Sequence, residues 1–318
     1  MLHGKLNMII RLSKSSISKE EKKAVMNVLD KEYLGMGQEV QKFEEKLTDF
    51  FGRPTICVSS GTSALHLACQ AIGLSKGDEV LVQSLTYIAS FQAISASGAT
   101  PIACDIDPTT LTIDLEDARK RLTSKTKAIM PVHYGGGVGN LDSIYHFADS
   151  NGLRVIEDSA HAFGSFYKSK RVGSFGDISC FSFDGIKNIT SGEGGCIVSD
   201  DKELIEKIRD ARLLGVVRDT DSRFKNNRSW EFDVEFQGWR YHMSNIMAAI
   251  GIEQLKKFPE MAKKRQKLAK KYESILNGNQ YIESLKHNFD EIVPHIYVVK
   301  CSRKKRDLIR EILIKKNI

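Results

Sequence analysis

An α/β fold built on a mostly parallel sheet is predicted for this chain, and two observations predict it. Short apolar runs of strand length recur at 56–58, 79–82, 101–104, 128–132, 155–156, 178–183 and 196–198. Stretches with helical spacing of apolar residues lie between most of them, among them 62–72, 115–122, 141–151 and 204–214. Alternating strand and helix requires crossover connections, which place the strands side by side in one direction and bury both faces of the sheet.

The elements can be justified in order. Ser18-x-x-Glu21 is a capping box leading into Val25, Val28 and Leu29, so a helix begins there. After Gly35-Met-Gly37, Val40, Phe43, Leu47 and Phe50 recur at helical spacing. The seven strand-like runs and their helices follow. Past Gly238 the chain turns helical over 243–257, and a second, charged helix is expected over 260–276. A strand at 296–301 and a helix at 306–316 come last. The expected division is a large domain over 1–255 and a small C-terminal α/β domain over 256–318. One strand and one helix cannot close a core. The last unit is therefore expected to be incomplete and to pack on something else, or the chain has been shortened.

Composition narrows the function classes. With 318 residues, 41% apolar and 27% charged, the chain can bury a core of one large and one smaller domain. No run of membrane-spanning length occurs, and the N-terminal apolar patch is too short for a secretory signal. Six cysteines, mostly inside apolar runs and without a C-x-x-C pair, read as buried thiols of a reducing compartment, so the cytoplasm is expected. The net charge of +7 is spread along the chain. The basic cluster Arg303–Arg306 reads as a solvated helix start, not a nucleic-acid patch. No metal-ligand spacing, G-x-S-x-G elbow or dinucleotide motif is present, and Gly135-Gly-Gly-Val-Gly139 lacks the dinucleotide spacing.

In open α/β sheets ligands bind beyond the carboxyl ends of the strands, and four strand-to-helix junctions hold unusual residues. In Val58-Ser-Ser-Gly61-Thr62-Ser63, a strand runs into a glycine and two hydroxyls that open a helix, an anion cradle suited to a phosphate. A plain Ser/Thr cap satisfies the same pattern. Glu157-Asp158-Ser-Ala-His161 closes a buried strand with two carboxylates, one of which can pair with a cationic ring nitrogen or cap the next helix. In Ser182-Phe-Asp-Gly-Ile-Lys187-Asn188, followed by Gly-Glu-Gly-Gly195, a lysine lies in a glycine-rich, aromatic-flanked segment. Such a lysine can lose its proton and act as a nucleophilic amine. Thr86-Tyr87 supplies an aromatic that can stack on a planar ring or serve as core. His133 and His161 read as satisfied strand-end residues.

Together these segments resemble the sugar aminotransferases of the DegT/StrS group. Ser-Ser-Gly-Thr-Ser-Ala-Leu-His-Leu, Glu-Asp-Ser-Ala-His-Ala-Phe-Gly and Ser-Phe-x-x-x-Lys-Asn…Gly-Glu-Gly-Gly occur in that group's order. Gly98-Ala-Thr-Pro…Asp105-Ile-Asp107 and Lys125-Thr-Lys-Ala-Ile-Met-Pro-Val-His add to the match, which covers about residues 10–318. The resemblance implies the aspartate-aminotransferase fold (fold type I), pyridoxal 5′-phosphate as cofactor, and a homodimer with shared sites. It implies Lys187 as the lysine that carries the cofactor and Asp158 as partner of its ring nitrogen. Tyr87 is expected on the ring face, and His161 beside the ring hydroxyl, where the group usually has Gln. Gly61, Thr62, Ser63 and Ser182 are expected at the phosphate, joined by a residue of the neighbouring subunit. The stretch that supplies it, usually Gly-Tyr-Asn-Tyr-Arg, reads Gly238-Trp239-Arg240-Tyr241-His242, leaving Arg240 and His242 as candidates.

The expected reaction moves an amino group from glutamate to a nucleotide-linked keto-sugar, without nucleic acid or membrane as partner. The readings left open are a lyase on the same cofactor and a shortened, catalytically impaired paralogue. Lys187 speaks against relatives that dehydrate sugars with histidine in its place.

Overall fold

Helix α1 (Lys19–Asp30) starts where the capping box predicts, with the Ser18 N–H donating to the Glu21 carboxylate at 2.8 Å. The computed structural model describes residues 10, 11, 13–228 and 230–318, so the first nine residues of the expected large domain lie outside it. Helix α2 (Gln38–Phe51) follows and ends on Gly52 in the left-handed conformation, φ 71°. The alternating part comprises β1 (Thr55–Val58), α3 (Gly61–Ala71), β2 (Glu79–Gln83), α4 (Ile88–Ala96), β3 (Thr100–Cys104), α5 (Leu115–Arg121), β4 (Thr126–Met130), α6 (Leu141–Ser150) and β5 (Arg154–Asp158). A small hairpin of β6 (Phe166–Tyr167) and β7 (Lys170–Arg171) precedes β8 (Ile178–Ser182) and β9 (Gly195–Val198).

The seven expected strands form one sheet in the order β1-β9-β8-β5-β4-β2-β3. Neighbours from β8 to β3 are parallel, and β9 is antiparallel to both β8 and β1. One reversed strand in seven leaves six carboxyl ends on a common edge. The sheet is covered on both faces. Ile56, Val58, Ile156, Cys180 and Ile197 pack under α3 and α7 (Lys202–Ala211). Cys57, Phe181, Phe183 and Cys196 face the other way, onto α2 and the long helix described below. Five of the six cysteines are buried and none is bridged.

Beyond a short α8 (Asp219–Phe224) the structure departs from expectation. The two helices expected over 243–257 and 260–276 are one, α9 (Asn245–Leu276), which carries Pro259 in its interior and crosses position 255 unbroken. Proline deletes one helical hydrogen bond and strains the preceding turn. Here Phe258 and Ala262 are anchored on either side of it in the aromatic core of Phe50 and Phe163, so packing overrides the break. The last strand is shorter than expected. It is β11 (Val299–Cys301), paired antiparallel with β10 (Ile282–Ser284), which lacks an apolar run and left no signal. Helix α10 (Arg303–Lys315) begins three residues earlier than expected, with its basic first turn exposed. Among the described residues, no helix is long and apolar enough to cross a membrane and no group of side chains could hold a metal ion.

Candidate active site

Five of the common carboxyl ends, those of β1, β2, β4, β5 and β8, border a single cavity of about 610 Å³. Its wall includes Gly61, Thr62, Tyr87, Asp158, His161, Ser182 and Lys187, so seven of the expected site residues converge. A second hollow of about 560 Å³, at the C-terminal end of α9, gathers no comparable set of buried reactive groups among the described residues.

The first wall is the start of α3. Ser60 caps it, taking the Ser63 N–H on its Oγ at 3.0 Å and the Ala64 N–H on its carbonyl at 3.1 Å. The first N–H groups of a helix have no helical acceptor, so those of Gly61 and Thr62 are the ones able to meet an anion. Gly61 permits this by its lack of a side chain. A Cβ there would stand 2.8 Å from Ser182 Cβ, so helix start and β8 end form one close cradle. Ser63 departs from expectation. It is 4% exposed and its Oγ is bonded to Ser60 O and N at 2.8 and 2.9 Å, which removes it from the cavity wall. The capping motif and the cradle motif share the same residues, and Ser63 went to the cap.

Asp158 forms the floor. It is 4% exposed, and its carboxylate accepts from Ser90 Oγ at 2.7 Å and from the Ala160 N–H at 3.2 Å. No cationic side chain among the described residues forms an ion pair with it. Burial raises its pKa against the pull of those two donors. A buried carboxylate with two hydrogen-bond donors and no counter-ion among the described residues fits a cationic ring nitrogen. Ser90 left no clear sequence signal, although it lies one turn into α4 from Tyr87 and bonds Thr86 Oγ1 at 2.7 Å. The adjacent Glu157 points the opposite way, as strand alternation requires, into a buried set with His133 Nε2 and Tyr145 OH, both at 2.7 Å.

Lys187 stands in the turn after β8, where its N–H bonds Asp184 O at 3.1 Å. Burial lowers its pKa, opposed by the charges of Asp158 and Asp184. A larger neutral fraction of the amine is what nucleophilic use requires. Asn188 behind it is buried, and its amide donates to Phe163 O and Val293 O at 3.1 and 3.2 Å, which fixes the lysine turn. Tyr87 stands 72% exposed at the mouth. His161 accepts the Gly135 N–H on Nδ1 at 3.2 Å, so its proton resides on Nε2; burial, then Lys187, pulls its pKa down to about 3. It is therefore a neutral donor at the cavity wall, not merely a satisfied strand-end residue.

Arg240 and His242 do not border this cavity. Trp239 and Tyr241 turn inward and pack on His66 of α3, with Trp239 Nε1 donating to Gln70 at 2.9 Å. That alternation leaves Arg240 exposed. His242 is half-buried, and burial followed by Arg223, Arg240 and Arg212 lowers its pKa to about 4.

The site thus combines an anion cradle, a buried counter-ion and a lysine with a depressed pKa around one cavity, and comparison with known proteins agrees. The profile of the DegT/DnrJ/EryC1/StrS aminotransferase family matches residues 15–318. The chain belongs to that family. It is a pyridoxal-phosphate-dependent aminotransferase of fold type I, in a family of sugar aminotransferases. The aminotransferase is 37% identical over 312 residues to the spore coat polysaccharide biosynthesis protein SpsC of Bacillus subtilis, covering 98% of this chain and 80% of the relative. It is 42% identical over 265 residues to GDP-perosamine synthase of Escherichia coli O157:H7, with 83% and 70% covered. Helicobacter pylori PseC, an aminotransferase of pseudoaminic acid biosynthesis, superposes with a TM-score of 0.89 at 32% identity, over 98% of this chain and 83% of that one. The PLP form of Streptococcus pneumoniae Spr1654, described as a sugar aminotransferase, gives a TM-score of 0.90 at 29% identity with the same coverage.

Proposed function

We propose that this aminotransferase moves the amino group of glutamate onto a keto-sugar carried on a nucleoside diphosphate, in the cytoplasm, for amino-sugar or surface-polysaccharide synthesis. The observation that carries the reading is the meeting of Lys187, Asp158 and the Gly61–Ser182 cradle at one sheet edge. The names of the E. coli and H. pylori relatives support the sugar class.

Pyridoxal phosphate supplies an aldehyde carbon and an electron-withdrawing ring. The protein's residues do the rest. Lys187 Nζ is the amine that would hold the aldehyde carbon, and it would take and return the proton at the donor α-carbon, a role worth about 10²–10⁴ in rate. Asp158, held by Ser90 and the Ala160 N–H, keeps the ring nitrogen protonated. The N–H groups of Gly61 and Thr62, with the Thr62 and Ser182 hydroxyls, hold the phosphate. His161 Nε2–H would serve the ring hydroxyl, and Tyr87 at the cavity mouth would flank the ring.

The site is completed in a homodimer. Tyr87, Ile88 and Ile186 are 72%, 58% and 42% exposed around the mouth, apolar surface that a second copy covers. Arg240 is the residue that reaches the neighbour's phosphate. It is exposed and cationic, whereas His242 is neutral near pH 7 for the reason given above.

The test is formation of 2-oxoglutarate from glutamate in the presence of GDP-, dTDP- or UDP-linked 4-keto-6-deoxyhexoses, with Lys187→Ala as control. Amination of one of them by the wild type alone is expected. Cofactor-loaded protein that aminates none of them, or Lys187→Ala turning over like wild type, sinks the proposal.

A further inference from the structure

His295 belongs to no motif in the sequence, yet it borders the same cavity as Lys187. It arrives from the C-terminal part of the chain, on a segment fixed at several points. The Val293 N–H donates to Ser165 Oγ at 3.0 Å, Asn188 donates to Val293 O, and Arg265 Nη1 donates to the His295 carbonyl at 3.0 Å. The unexplained glycine run at 135–137 is the seat of this segment. Gly136 has φ 100°, and a Cβ on it would stand 2.7 Å from Val293 O. The imidazole of His295 lies against that of His161, with centroids 4.4 Å apart and planes 32° apart. One residue links the two histidines. Gly135 gives its N–H to His161 Nδ1 and takes the His295 N–H on its carbonyl at 2.9 Å.

We propose that His295 is a positioning residue for His161: its ring closes one face of the His161 imidazole, and its backbone N–H holds Gly135, whose own N–H sets the Nε2–H tautomer that faces the cofactor. The inference rests on the reading of His161 as the group beside the cofactor ring, but the tautomer itself can be observed without any turnover. Other groups that bear on the pair are Lys187 on the cavity side, Tyr134 against His161 at 5.8 Å, and Arg265 behind His295; Asp158 faces the same cavity. His295 Nδ1 is enclosed without a hydrogen-bond partner among the described residues, and its burial favours the neutral ring. Removing the ring admits water to His161 and lifts the burial that keeps it neutral.

The experiment is ring-15N histidine NMR of the full chain loaded with pyridoxal phosphate, with the His161 signals assigned by their loss in His161→Gln. Wild type is expected to show Nδ1 unprotonated and Nε2 protonated, unchanged from about pH 5 to 8. His295→Phe keeps the covering ring and retains that pattern. His295→Ala shifts the protonation midpoint of His161 upward by at least about one pH unit, because the covering ring is gone while the backbone link through Gly135 remains. A His161 that carries its proton on Nδ1 in wild type, or that is unmoved in His295→Ala, overturns the proposal. Should His295→Ala not fold, His295→Leu fills the volume without an aromatic face, and the same two outcomes are read from it and from wild type. Loss of keto-sugar turnover with the tautomer intact would count against the proposed function and leave this inference standing.

Discussion

Gly61→Ala tests the phosphate cradle by distance alone. The added Cβ would stand 2.8 Å from Ser182 Cβ, 3.2 Å from its Oγ and 3.3 Å from its Cα, against ordinary contact beginning at 3.4 Å. The start of α3 and the end of β8 must therefore separate by about 0.6 Å. A rotamer change of Ser182 relieves only the Oγ contact, because the closest atom is a Cβ that no side-chain rotation moves and the backbone Cα is also too near. Overpacking of this size costs about 1–3 kcal/mol of stability. The movement also matches the roughly 0.5 Å tolerance of a preorganised site, so cofactor affinity is expected to fall about 10–100-fold, or 1.4–2.8 kcal/mol. The assay is equilibrium dialysis of pyridoxal phosphate against the cofactor-free variant, with thermal unfolding run in parallel. Gly35→Ala is the control, since a Cβ there meets nothing within 4 Å. Unchanged cofactor affinity in Gly61→Ala would refute the assignment of this junction to the phosphate.

Other outcomes follow from the same geometry. Asp158→Asn removes one partner of a buried ion pair, a loss of about 3–5 kcal/mol, so turnover is expected to drop by at least a factor of about 10² while the phosphate cradle still retains the cofactor; steady-state kinetics within tenfold of wild type would contradict the counter-ion role. Arg240→Ala is expected to weaken cofactor binding about tenfold or more through loss of a charged hydrogen bond, and His242→Asn to change it less than about threefold, both read by dialysis; the reverse ranking would reassign the contact. Lys187 has a lowered pKa in the folded chain, so the unfolded chain binds more protons between that value and the ordinary lysine value, and stability rises with pH through that window. Cofactor-free Lys187→Met is therefore expected to melt above wild type near neutral pH, with the gap closing as pH rises toward about 10; a gap that widens would show the sign to be wrong.

The sheet was legible because its strands are apolar on both faces and its helices amphipathic, two periods that do not mix. Strand ends moved by a residue or two. Val132, expected to finish its strand, makes only a bridge to Asp158 beyond β4. Lys187 and Asp158 stood out since a charge at the end of a buried strand has few structural explanations. Ser63 did not sort from Thr62, because a helix cap and an anion cradle use the same hydroxyls and only the fold divides them. Pro259 misled because its cost is local whereas the anchoring of Phe258 and Ala262 comes from residues distant in the chain, Phe50 and Phe163 among them. His295 was beyond sequence reading for the same reason. Its neighbours Gly135 and His161 precede it by more than 130 positions, and the glycine run that seats it resembled a failed nucleotide motif.

The central claim, that one amine at the end of β8 carries the cofactor, is tested most directly by borohydride reduction of the loaded protein followed by peptide mass spectrometry. The pyridoxyl mass is expected on the peptide containing Lys187 and on no other. Its appearance on a different lysine, or on none while the protein remains loaded, would contradict the account.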